Sequence, residues 1–159
     1  MQYIFSPWRM KYIMHHAHHT DCFFCTGIAQ MDDPANLILH RGERAFVMLN
    51  RYPYTSGHLM VVPFEHMPSL EGLDAAVLGE IMQLVTRAMS ALRKVYHPEG
   101  FNMGANIGSA AGAGVAEHIH IHVVPRWSGD TNFMSAVGET RVLPEDLSES
   151  YRRIKDAWE

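Results

Sequence analysis

Three histidines in alternation, His118-Ile119-His120-Ile121-His122, followed by Val123-Val124-Pro125-Arg126, are the residues of this chain best suited to chemistry. Isoleucine and valine favour strands, and successive strand side chains point to opposite faces. The spacing therefore places the three imidazoles on one face, roughly 6.5–7 Å apart, with Ile119, Ile121 and Val123 turned to a core. Imidazole titrates near neutral pH, so such a row is a reaction surface or a metal site rather than an ordinary solvated face. Against a three-histidine metalloenzyme, no Glu or Asp follows at the short spacing such strand sites use. A second group is Cys22-Phe23-Phe24-Cys25. Two thiolates at this spacing can hold zinc once two more ligands arrive, and His66 and His118 are the candidates. A redox pair and two packed, reduced thiols are the alternatives. The redox reading lacks the surrounding alternation of strands and helices that it needs.

The elements that must position these groups follow from periodicity. Ala45 to Leu49 and His58 to Pro63 read as two strands of a hairpin, joined by the long turn Asn50 to Gly57. Asp74 to Tyr96 is the one strong helix. Val77, Leu78, Ile81, Leu84, Val85, Ala88, Met89 and Leu92 recur at three-four spacing, and Pro98 and Gly100 end it. Its methionines read as core rather than as a cofactor box. Phe101 to Ile107 is a further strand, Gly108 to Gly114 a small-residue loop, and Pro144 to Trp158 a short amphipathic helix. Met1 to Thr20 reads as an arm, in which His15-His16-Ala17-His18-His19 is a solvated loop or a weak metal binder. The pattern predicts a single α+β domain over 1–159, with an arm at 1–20 and a C-terminal loop and helix at 128–159. Its antiparallel sheet of about five strands carries one main helix.

Composition bounds the function. The 159 residues suffice for one sizeable core; apolar residues make up 47% and charged residues 19%, as in ordinary globular proteins. A formal net charge of −4 excludes a broad electrostatic grip on nucleic acid, so an anionic ligand must be held locally. No run of apolar residues approaches the roughly 18–20 needed for a membrane span. Trp8-Arg9-Met10-Lys11 breaks any signal pattern. The expected compartment is the cytoplasm.

The region Asn106 to Arg126, NIGSAAGAGVAEHIHIHVVPR, resembles the histidine-triad superfamily, whose signature is His-x-His-x-His followed by apolar residues and preceded by a small-residue loop. Phe46 to Pro63 is similar to the family's nucleoside-binding strands and turn. The resemblance implies a HIT-like antiparallel fold and a covalent nucleotidyl-histidine intermediate. His120, the middle ring, is the implied nucleophile. A neutral imidazole attacks phosphorus well near neutral pH, because its unperturbed pKa is about 6.5. Its other ring nitrogen should be fixed by a backbone carbonyl. His122 would donate to phosphate oxygens or the leaving group, and Asn106 to the same phosphate. Gly108, Gly112 and Gly114 would let backbone amides approach the anion, although flexible loops share this spacing. Asn50 is implied at the ribose, or is a turn-forming asparagine. Phe46 and Leu49 line the base pocket or the core. Arg126 pairs with phosphate or with a carboxylate. Some bacterial members look similar at Cys22, Cys25, His66 and His118 and carry a structural zinc there, which would leave the chemistry with His120. The family usually forms homodimers.

Many triad hydrolases place a glutamine just before the triad. Here the segment is Ala113-Gly114-Val115-Ala116-Glu117, one residue longer and without it. Smaller residues leave room for an acceptor bulkier than water, such as inorganic phosphate. Pro7-Trp8-Arg9-Met10, Pro125-Arg126-Trp127, Gly129 to Phe133 and Arg141 to Pro144 are similar to a branch resembling bacterial diadenosine tetraphosphate phosphorylases. That branch implies Trp127 near the substrate; a core or dimer anchor is the other reading. The expected function is phosphorolysis of diadenosine tetraphosphate to ADP and ATP. Hydrolysis of dinucleoside polyphosphates or nucleoside phosphoramidates to AMP, and a slow-turnover nucleotide sensor, are the alternatives.

Overall fold

The apolar residues of the central strands alternate between two buried faces. In β2 (Ala45–Leu49), Ala45, Val47 and Leu49 join one core, while Phe46 and Met48 join another. In β3 (Leu59–Pro63), Leu59 and Val61 take the first side, and Met60 and Val62 the second. Both faces of these strands must therefore be covered, and the computed structural model, which describes residues 22–130 and 144–158, shows how. Among the described residues the sheet runs β1-β2-β3-β5-β4, with β1 at Ile38–Arg41, β4 at Gly100–Gly104 and β5 at Ile121–Arg126. Every neighbouring pair is antiparallel, and the β3–β5 register sets Met60 opposite His122.

The first face is covered by α2 (Ala75–Tyr96), whose stripe Val77, Ile81, Leu84, Val85, Ala88, Ala91 and Leu92 is buried. Asp74 caps it by accepting from the Val77 amide at 2.9 Å, a contact worth about 1 kcal/mol. By length and composition α2 passes for a membrane-crossing helix, contrary to the sequence expectation, yet its apolar stripe is spent on the sheet core. The third helix, α3 (Leu147–Ala157), packs on the same side through Ile154 and begins later than expected, because Asp146 is its cap. Tyr151 and Lys155 donate to the carbonyls of Ile38 and Leu39, which ties α3 to edge strand β1.

The sequence reading named neither β1 nor α1 (Phe23–Ala29), the short helix that carries Phe24 into the second core. The β4 strand stops at Gly104 rather than Ile107. The triad strand begins only at Ile121; His118 and His120 lie in the irregular run leading into it, held where the Ile119 amide donates to Met67 O at 2.7 Å. Trp158 lies under the Arg87 guanidinium and beside His40. The arm at 1–20, its histidine cluster and Trp8 lie outside the described residues, as do Thr131 to Phe133 and Arg141 to Leu143.

The turn into β2 hangs on one side chain. The Glu80 carboxylate accepts from the amides of Glu43, Arg44 and Ala45 at 2.8, 3.0 and 3.3 Å. Burial alone would raise its pKa, but these amides and the Arg44 guanidinium outweigh burial and hold it below the usual glutamate value. Glu80→Ala is expected to cost about 1–3 kcal/mol, read as a lower urea midpoint with an unchanged slope. A midpoint equal to wild type would show that water replaces the carboxylate without penalty.

Candidate active site and metal centre

The second face of the sheet carries the histidines. His120 is 5% exposed, and its Nδ1 lies 2.9 Å from the backbone carbonyl of His118. A carbonyl only accepts, so Nδ1 bears the proton and Nε2 keeps its lone pair. Burial pushes the His120 pKa below the ordinary histidine value, and the carbonyl bond offsets this only in part. The ring is therefore a neutral imidazole at neutral pH with its nucleophilic nitrogen defined.

His122 stands beside it, with ring centroids 4.8 Å apart. Its tautomer is set from a distance. The backbone amide of Tyr54 donates to Nδ1 of His58 at 3.1 Å, and the Asn50 carboxamide nitrogen lies 3.4 Å from the same atom. The His58 proton must then sit on Nε2, which is 2.9 Å from Nδ1 of His122. Nδ1 of His122 accepts, and its own proton is on Nε2, where it can be given to an oxygen. In the sequence His58 stands only as the first residue of a strand. Its signal was a lone polar residue sharing the parity of Met60 and Val62. Gly57 brings it in: at φ 79° the chain turns where a Cβ would meet Leu92 Cδ2 and Tyr96 Cε2, each at 2.9 Å.

The remaining expected site residues divide. Asn50 is at the site, with its Oδ1 accepting from the Tyr52 amide at 2.9 Å and its nitrogen turned to His58, so the turn role and the site position coincide. Phe46 is buried in the second core, with Phe64 stacked on it at 5.5 Å. Leu49 faces the other core, under α2. In the small-residue loop, the Ala111 and Gly112 amides donate to the carbonyls of Gly108 and Ser109, and Ala113 also donates to Gly108. The Gly112 amide is thus engaged within the loop rather than presented in an open nest. Val115 packs beside Phe24 and Phe46, which brings the end of this loop, with Gly114, to the site face. Asn106 is half-buried in the same connection.

Two expected site residues lie away from the histidines, on partners of their own. Arg126 lies four residues beyond His122 on β5, about 13 Å along the strand. Its guanidinium is taken by Asp130 at 2.6 and 2.8 Å and by Asn102 at 2.5 Å. Trp127 donates to the Tyr96 carbonyl at 3.3 Å and packs edge-on against that ring. Neither is brought to the histidines of this chain: Arg126 pairs with a carboxylate, and Trp127 packs on Tyr96.

The four expected metal ligands do converge. Cys22 Sγ and Cys25 Sγ lie 3.3 and 3.6 Å from Nδ1 of His118, Cys25 Sγ lies 3.4 Å from Nδ1 of His66, and the four donor atoms fall within 4.8 Å of one another. A tetrahedral ion with metal–sulfur bonds of about 2.3 Å and metal–nitrogen bonds of about 2.0–2.1 Å sets its sulfur and nitrogen ligands about 3.6 Å apart. The residues fit. His118 is prepared for the role: its Nε2 donates to the Pro63 carbonyl at 2.9 Å, which leaves Nδ1 bare toward the thiols. Burial lowers the His118 pKa and keeps the ring neutral, while burial and then the neighbouring Cys22 raise that of the Cys25 thiol. A tetrahedral ion held by all four of these side chains would have no open coordination position.

This geometry can be set beside known proteins. The chain is 36% identical over 165 residues to the AP-4-A phosphorylase of Mycobacterium tuberculosis, covering 99% of this chain and 85% of that protein. A zinc-bound histidine triad family protein from Mycobacterium smegmatis superposes with a TM-score of 0.70 at 32% identity, covering 87% of this chain and 93% of that one. A hypothetical histidine triad nucleotide-binding protein from Sulfolobus tokodaii superposes at 0.69 with 25% identity, covering 86% and 91%. The HIT domain model matches residues 31–129, which span the hairpin, the main helix, the small-residue loop and the triad: the chain belongs to the HIT domain family.

Proposed function

We propose that this chain is an enzyme that transfers a nucleotidyl group through His120, acting on dinucleoside polyphosphates with inorganic phosphate as acceptor. One observation carries the reading: the His118 carbonyl holds Nδ1 of His120 and leaves Nε2 as a buried, neutral nucleophile beside a proton-bearing His122. Nε2 attacks the phosphorus that bears the nucleoside. The bond to the bridging oxygen breaks, and the departing nucleoside polyphosphate takes the proton from Nε2 of His122. A phosphate oxygen then attacks the same phosphorus while the proton of that phosphate hydroxyl passes to Nε2 of His122, the P–N bond breaks, and His120 and His122 are both regenerated. With diadenosine tetraphosphate the products are ATP and then ADP. The similarity to a phosphorylase over nearly the whole chain supports phosphate as the acceptor, as does the absence of the hydrolase glutamine before the triad. Asn50 would serve the ribose, Phe46 the floor of the base pocket, and Asn106, Gly112 and Gly114 the phosphates once the loop opens.

The metal would be zinc, held by Cys22, Cys25, His66 and His118, as two thiolates with two imidazoles suit that ion and a zinc-bound relative shares the fold. Bound there, it supplies cross-linking rather than chemistry. A second copy of the chain would pair along edge strand β4 and the segment after it, where Met103 and Ile107 are 48% and 43% exposed. Nucleic acid is not an expected partner at a net charge of −4, and the reduced thiols suit the cytoplasm.

The test is incubation with diadenosine tetraphosphate, with and without phosphate, and chromatography of the products. ADP with ATP, formed only when phosphate is present, is the expected result. AMP with ATP regardless of phosphate would make the enzyme a hydrolase and overturn the choice of acceptor.

A further inference from the structure

The helix that carries the two cysteines also carries a wall of the active site. Phe24 lies between Cys22 and Cys25, and its ring is 5.3 Å from the His118 ring and 5.0 Å from the His120 ring. It is 3% exposed and shares the second core with Phe46, Met48, Met60 and Val115. The α1 helix has little hold of its own. It is seven residues long, the Cys22 side chain does not cap its first turn, and its first and last turns carry no complementary charge. Its attachment therefore depends on what it packs against, on the Arg41 guanidinium that donates to the Ile28 carbonyl at 3.1 Å near its far end, and on Cys22 and Cys25, which meet His66 and His118 from a different part of the chain.

We propose that metal binding at these four residues latches α1 in place, so that Phe24 closes one side of the pocket and keeps bulk water from His120. This inference rests on the metal reading and extends it. The metal acts as a latch on the packing around the nucleophile, in addition to cross-linking the chain. The consequence for the reaction follows directly. A nucleotidyl-histidine waiting for phosphate must be shielded from the water that would hydrolyse it, and Phe24 contributes that shield.

The experiment reads access rather than turnover. Full-length protein is carbethoxylated with diethylpyrocarbonate, and the modification rate of each histidine is followed by peptide mass spectrometry. The protein is compared as zinc-loaded, chelator-stripped and zinc-restored, with metal content measured by elemental analysis. A Phe24→Ala variant that retains zinc removes the wall without the latch. Stripping and Phe24→Ala should each speed modification of His120 about tenfold, zinc should reverse the first, and the fully buried His58 should stay slow throughout. An unchanged His120 rate in protein shown to have lost its zinc would overturn the latch. An unchanged rate in Phe24→Ala would overturn the wall. His58 accelerating in step with His120 would mean that the metal holds the whole fold, which also overturns a local latch. Protein that takes up no zinc at all would instead remove the metal reading beneath it.

Discussion

His120→Asn is expected to lower kcat by about 10⁴-fold or more while leaving the nucleotide dissociation constant within a few-fold of wild type. Asparagine can still donate its carboxamide N–H to the His118 carbonyl that now receives Nδ1 of His120 at 2.9 Å, so the local backbone keeps its partner. What it lacks is a nitrogen lone pair at the far side of the ring, which is the atom that forms the bond to phosphorus. Binding draws on other groups, so affinity and turnover should separate. Titration calorimetry gives the first and product chromatography the second. In the wild type, substrate supplied without phosphate should leave a nucleotide on the His120 peptide, visible by mass spectrometry. Turnover by His120→Asn within tenfold of wild type would remove His120 as the nucleophile.

Much of this site was readable because strand periodicity is simple. Ile119, Ile121 and Val123 join the core under α2 as the alternation required, and the helix stripe from Val77 to Leu92 packs on it. The four cysteine and histidine ligands were named from spacing and resemblance alone, and their donor atoms meet. What the sequence could not convey is what depends on tertiary placement. The short α1 has no charged or capping signature, so the helix of Phe24 was invisible until the cysteines anchored it. Arg126 is ambiguous because a guanidinium suits phosphate and carboxylate equally; a local turn brings Asp130 to it, and the β4–β5 pairing brings Asn102. The least readable feature is how the rings are protonated. Each relevant tautomer is dictated by a backbone group: Pro63 O for His118, His118 O for His120, and the Tyr54 amide for His58. Backbone groups carry no residue identity, so no motif records them.

That last dependence makes His58 the second residue whose loss should be felt strongly. Its Nε2–H reaches Nδ1 of His122 at 2.9 Å and thereby keeps the His122 proton on the nitrogen that serves the leaving group. His58→Phe conserves an aromatic ring but removes the donor. The His122 imidazole can then hold its proton on either nitrogen, and the fraction poised to protonate the leaving oxygen falls. The expected loss is about 10²-fold in kcat with KM little changed, the size usual for a misdirected general acid. His58→Gln is the discriminating partner. Its carboxamide can place an N–H near the position of Nε2, so it should recover activity to within about tenfold of wild type. Both variants bury a new side chain at a fully buried position, so urea unfolding is measured alongside. If Gln and Phe lose activity equally while both remain folded, His58 contributes packing, and the proton of His122 is set by something else. If Phe retains wild-type kcat, no relay operates. A split between the two, with equal stability, would mean that a backbone amide at Tyr54 directs the acid that releases the product, two imidazoles away.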